Sequence, residues 1–171
     1  RPALSGGGQP CLCRALVSAV LCLAAALAQA AAPPPEPGEI LEDFRTAENW
    51  AITNTNAPGQ FSTDGDILTL TSLPGGAVTW GTSLHRQFEV DLDKTPYLVV
   101  RLVGGDAPFA VTLINQKTRE KRSSLMQRSS PGLAILHIPD ALGWTGPTRL
   151  NVGLYTRRLG GSIQVDWLRF A

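Results

Sequence analysis

From Ile40 to the end of the chain, apolar residues come in short runs. Most of these alternate with polar residues, and the runs are separated by Gly, Pro, Asn or Asp. A period of two marks a strand with one face in a core and the other in water. Strands are predicted at Trp50–Thr53, Ile67–Leu70, Ala77–Trp80, Gln87–Asp91, Tyr97–Val103, Phe109–Asn115, Lys121–Leu125, Ala134–Ile138, Leu150–Tyr155 and Ser162–Phe170. Turn signals fall between them: Asp64-Gly65, Pro74-Gly75-Gly76, Gly104-Gly105-Asp106, Pro131-Gly132 and Gly160-Gly161. Tyr97–Val103 is apolar on both faces apart from Arg101, as expected of a central strand. In Ser162–Phe170, strict alternation places Ile163, Val165 and Trp167 on one face and Gln164, Asp166 and Leu168 on the other. No window carries a helical period of useful length; Pro139–Gly146 has room for one turn between its proline and its glycines. About ten short strands at this spacing predict an all-β fold, two stacked antiparallel sheets forming a sandwich or jelly roll.

The first thirty residues have a different pattern. Arg14 precedes an uninterrupted apolar stretch, Ala15–Leu27, and Ala28-Gln29-Ala30 follows as a small-residue cleavage signature. This predicts a signal peptide over residues 1–30 and a secreted or periplasmic mature protein. The stretch is shorter than the roughly 20 residues of a membrane span, which makes a retained anchor the lesser alternative. Residues 31–39 are rich in proline and predict a stiff tether, leaving 40–171 as the domain.

Composition narrows the functions open to that domain. All three cysteines, Cys11, Cys13 and Cys22, lie in the leader. The domain therefore has no disulfide, thiolate nucleophile or cysteine metal ligand. The formal net charge is +1, and beyond residue 30 there are 13 basic against 14 acidic residues. A balance so close to neutral argues against a nucleic-acid partner. The basic run Lys117, Arg119, Lys121, Arg122 and Arg128 reads as a solvated strand edge, with attraction of an acidic polysaccharide as the alternative. There is no G-x-S-x-G elbow, H-E-x-x-H pair or P-loop, and the acids sit mostly in turns, so an enzyme is not expected.

Three stretches and an opening segment carry a family likeness. They are Phe88–Arg101, with its acidic turn and proline-led second strand; Gly143-Trp144-Thr145-Gly146 before Leu150–Leu154; and the terminal Ile163–Phe170. Leu41–Phe44 together with Trp50 form the opening. In this order they resemble the galactose-binding-like jelly rolls that serve as carbohydrate-binding modules of secreted bacterial glycan-degrading proteins. The likeness spans Ile40 to Ala171. It implies a β-sandwich, glycan binding through aromatic platforms, a linked or partner glycan-degrading enzyme, and often a structural calcium ion beside the termini. Related sandwiches also act as structural or protein-interaction domains, here of the bacterial cell envelope.

Sugar rings pack their C–H faces on aromatic planes and bond their hydroxyls to polar groups. Trp80, at a strand end before Gly81, and Trp144, between glycines in a polar loop, are the platform candidates, with Tyr155 as a third. His85, in a polar segment near Trp80, is a candidate donor to a sugar hydroxyl or else a solvated loop histidine. Trp50 and Trp167 read as core residues and His137 as part of a solvated strand face. For calcium, which takes hard oxygen ligands, the resemblance would pair Glu42 or Asp43 with Asp166. The competing reading of these acids is solvation, or ion pairing with Arg45 or Arg169.

Overall fold

The structure, a computed structural model, describes residues 40–53, 56–75 and 80–171. The expected leader (1–30) and tether (31–39) lie outside the described residues, as does most of the expected strand Ala77–Trp80; Trp80 itself sits in a bend. The strands are β1 (Ile40–Glu42), β2 (Ala51–Ile52), β3 (Gly59–Asp64), β4 (Ile67–Ser72), β5 (Ser83–Asp91), β6 (Tyr97–Gly105), β7 (Phe109–Asn115), β8 (Lys121–Arg128), β9 (Gly132–His137), β10 (Pro147–Thr156) and β11 (Ser162–Phe170). A single helical turn, α1 (Ile138–Leu142), precedes β10. Gly143 ends it in the left-handed region at φ 72°, donating its backbone N–H to the Pro139 carbonyl.

Two antiparallel sheets result. One has the order β3-β4-β11-β6-β9, with β1 pairing the end of β11; the other has the order β2-β5-β10-β7-β8. Alternation along the strands determines what lies between them. Leu68 and Leu70 of β4, Leu98, Val100 and Leu102 of β6, and Ile163, Val165, Leu168 and Phe170 of β11 form one wall. Leu84, Phe88 and Val90 of β5, Val111 and Leu113 of β7, and Leu150, Val152 and Leu154 of β10 form the other. Burying each such side chain contributes about 1.5–3 kcal/mol, which makes this shared layer the main driving force for folding. Phe44, Trp50, Phe88 and Phe170 close one end as a chain of rings with centroids 5.4–6.1 Å apart.

Two strands escape the sequence pattern. β1 is three residues long, and β3 (Gly-Gln-Phe-Ser-Thr-Asp) has only Phe61 as a large apolar residue; both take their geometry from a neighbouring strand. The expected faces of β11 need correction. A register shift between Val165 and Trp167 places Trp167 opposite Arg101 and Leu168 opposite Val100. Opposed residues point to the same side of a sheet, so Leu168 joins the core. Trp167 instead lies on the outer face, where the Arg169 guanidinium covers its ring at 5.5 Å and leaves it 8% exposed.

Candidate functional site

The outer face of the five-stranded sheet is set by what the inner face buries. With Leu84 and Phe88 turned inward, β5 presents Ser83 and His85 outward; with Val152 and Leu154 inward, β10 presents Asn151, Gly153 and Tyr155. Register brings His85, Gly153 and Thr112 level across β5, β10 and β7. A β-carbon at Gly153 would lie 2.4 Å from His85 Cε1, so the imidazole rests directly on the glycine backbone. Glycine inside a strand weakens it; here it makes room for the ring.

His85 is held at both nitrogens: Nδ1 lies 3.0 Å from Asn151 Oδ1 and Nε2 3.0 Å from Ser83 Oγ. A carboxamide oxygen only accepts, so Nδ1 carries the proton and Nε2 accepts from the serine hydroxyl. Burial lowers the His85 pKa, the Asn151 hydrogen bond opposes that shift, and the Lys121 charge adds to it. Since the folded state resists protonation, the unfolded chain takes up the proton first. Stability from this group is complete above the ordinary imidazole value of 6.5 and falls as pH drops below it. Denaturant titrations between pH 7 and 5 should therefore show a shallower loss of stability for His85→Gln than for the wild type.

A bulge supplies further groups. Val111 pairs with Leu125 and Leu113 with Arg122, so three residue steps on β8 face two on β7. The extra residue breaks the alternation. Ser124 takes φ 60°, and the run Ser123-Ser124 lines the sheet face, with Thr112 Oγ1 donating to Ser123 Oγ at 3.3 Å. Ser124 Oγ also lies 2.8 Å from the Tyr155 hydroxyl.

Trp80 completes the site from beyond the start of β5 and is 51% exposed. Its neighbour Gly81 hydrogen-bonds the Thr156 carbonyl at 3.1 Å, and a β-carbon there would meet Thr156 Oγ1 at 1.8 Å and two backbone oxygens within 2.8 Å. Only glycine permits that approach, which ties Trp80 to the end of β10. Trp80, His85, Tyr155, Lys121, Ser124 and Arg157 are among the residues lining the resulting groove of ≈ 410 Å³. Three of the four expected ligand-binding residues thus converge. Lys121 comes from the basic run for which attraction of an acidic polysaccharide was the alternative reading, whereas the serine pair, Thr112 and Arg157 were not expected: the bulge hides the serines, and Arg157 lies past the end of its strand. A flat aromatic beside hydroxyls and an imidazole suits a polar ring, and among the described residues no carboxylate lines the groove to act as acid or base. A second depression of ≈ 650 Å³ at the far end of the same sheet has no aromatic lining, and its Glu89 and Arg149 neutralise each other. Gly153→Ala is expected to displace the pinned imidazole and weaken ligand binding at the groove about tenfold, a loss that titration calorimetry would measure.

Trp144, the fourth expected residue, is not a platform. It is 6% exposed within the core cluster and donates its indole N–H to Glu120 Oε2 at 2.7 Å. It precedes β10 while Tyr155 lies near that strand's end; the eight steps from Pro147 to Tyr155, at roughly 3.3 Å each, put about 26 Å of strand between the two.

The expected calcium ligands do not assemble either. Glu42 points into the sandwich edge, pairing with Arg86 of the opposite sheet and accepting the Phe44 backbone N–H. Asp43 pairs with Arg45 at 3.1 Å and Asp166 with Arg101 at 3.3 Å. Burial raises the Asp166 pKa against the opposing effect of Arg101. Acids already engaged by guanidinium groups are a poor donor set for a divalent cation, and among the described residues no three metal-ligating side chains cluster. The Glu42–Arg86 bridge instead ties the two sheets together. Glu42→Gln is expected to cost about 2 kcal/mol by leaving Arg86 half-buried and unpaired, measurable by chemical denaturation.

No family model matches the chain, and no curated protein is similar to it in sequence. Solved structures are similar in fold. One variant of a family 29 carbohydrate-binding module superposes with a TM-score of 0.54 at 13% identity, covering 77% of this chain and 83% of that one. A second family 29 variant gives 0.52 at 13% identity over 77% and 89%. A third gives 0.52 at 13% identity over 78% and 91%. The chain has the β-sandwich fold of carbohydrate-binding modules.

Proposed function

We propose that this domain binds glycan without transforming it, outside the cytoplasmic membrane. Trp80 is the platform, Tyr155 and His85 line the floor, and the hydroxyls of Ser123 and Ser124 bond the sugar. The observation that carries the reading is the convergence of an exposed tryptophan, a pinned imidazole and a hydroxyl cluster in one groove on the outer sheet face. Sandwiches of the same fold that bind carbohydrate support it. The apolar leader supports the extracytoplasmic setting, where a linked or partner glycan-degrading enzyme is the natural companion. Isothermal titration against a polysaccharide panel tests the reading; heat of binding that disappears with Trp80 sustains it, and silence across neutral and acidic glycans sinks it.

A second reading, a structural or protein-interaction domain of the cell envelope, draws on the other sheet. There Tyr97, Leu133 and Ile135 are 43%, 47% and 59% exposed on one outer face. It requires an envelope protein whose co-purification is lost with Ile135→Asp and unaffected by Trp80→Ala.

A further inference from the structure

The domain as a whole is nearly neutral, so a local imbalance of charge inside the groove carries information. Ten of the described residues line it; two of them, Lys121 and Arg157, are permanent cations and none is an acid. Elsewhere along the same sheet Arg149 pairs with Glu89, Lys94 in the turn after β5 pairs with Asp91 at 3.0 Å, and Arg128 is engaged by the backbone carbonyls of Ser130, Pro131 and Leu133. The one carboxylate next to Lys121 in sequence, Glu120, is engaged by Arg122 and by the Trp144 indole. Arg157 bonds only the neutral carboxamide of Gln127 with its side chain. Among the described residues neither groove cation has a carboxylate partner, and both are exposed.

Their placement matters as much as their sign. Lys121 lies opposite Ile114 of β7, whereas Thr156, next to Arg157, lies opposite Phe109. Five residues of β7 separate those levels, roughly 17 Å at about 3.3 Å per residue. One carboxylate cannot satisfy both cations; a chain bearing carboxylates at intervals can, with Trp80 taking a sugar face at the Arg157 end.

We propose that the groove is selective for acidic glycans, namely polyuronates whose recurring carboxylates meet Lys121 at one end and Arg157 at the other. This rests on the reading that the groove binds glycan and adds the class of glycan. A guanidinium forms paired hydrogen bonds to a carboxylate, and an ammonium acts as a point charge, so Arg157 sets geometry and Lys121 mainly contributes attraction. The Lys121 field already reaches the floor of the groove, where it acts on His85.

The test is calorimetric titration of the full chain with an oligogalacturonate and with a neutral mannan- or xylan-derived oligosaccharide of equal length. The uronate is expected to bind about tenfold or more tightly at low salt. The preference should collapse near about 0.5 M salt, where exposed charges are screened within a few ångströms. The double variant Lys121→Ala/Arg157→Ala should lose the preference, its affinity for the uronate falling to that for the neutral oligosaccharide. Neutral sugar bound as well as uronate, or a double variant that retains the preference, overturns the selectivity and leaves glycan binding standing. Binding of neither sugar overturns both readings. Equal affinity for polyglutamate of matching charge also overturns the proposal, because it reduces the groove to a polyanion site.

Discussion

Replacing Trp80 with alanine is expected to weaken glycan binding about thirtyfold or more while leaving the melting temperature almost unchanged. An aromatic side chain at the centre of a binding surface contributes about 2 kcal/mol or more, which is that factor in affinity. The indole is 51% exposed, so its removal opens no cavity, and surface substitutions of this kind change stability by only about 0.5 kcal/mol. The backbone beneath it is held independently, through Gly81 against Thr156, and the groove walls remain. Titration calorimetry and thermal melts on the same preparation check both halves. A large melting shift with unchanged affinity would mean that Trp80 is structural.

Trp144→Ala should produce the converse. The ring is buried at the end of the sandwich where the β5–β6, β7–β8 and α1–β10 connections meet, and its N–H satisfies Glu120. Deleting a buried tryptophan costs about 3–5 kcal/mol, which for a domain of this size lowers the melting temperature on the order of 10–20 °C. The protein that remains folded should bind glycan with wild-type affinity, because the groove lies at the other end of β10. Trp144→Phe separates the two contributions: it keeps most of the packing, removes the hydrogen bond to Glu120, and should lose about 1–2 kcal/mol. Two tryptophans that look alike in sequence, each beside a glycine, thus have opposite assignments.

The glycines explain why they looked alike. Gly143 beside Trp144 serves to end a helical turn in the left-handed region, whereas Gly81 beside Trp80 serves a close approach of two backbones. A glycine records that a side chain was unwanted, without recording why. The same holds for Gly153, which reads as a weak point in a strand until the imidazole resting on it is located. The carboxylates were ambiguous for a related reason. Glu42 and Asp166 do come near each other's strands through β1 and β11, as the resemblance implied, but Glu42 turns toward Arg86 on the inner side and Asp166 toward Arg101.

The sequence by itself determined the architecture, since period-two burial in β4 and β6 and the alternating Leu150, Val152 and Leu154 of β10 leave only a two-sheet core as a way to hide those side chains. It also placed Trp80, His85 and Tyr155 as candidate ligand-binding residues. The tertiary structure alone decided which indole is exposed, which acids meet arginines, and that Ser123, Ser124, Lys121 and Arg157 share a groove with the others. The physical reason is that alternation is a local property of a regular strand. Register shifts such as those in β8 and β11 arise from pairing with a neighbour far away in the chain, and each shift reassigns faces that local periodicity had fixed.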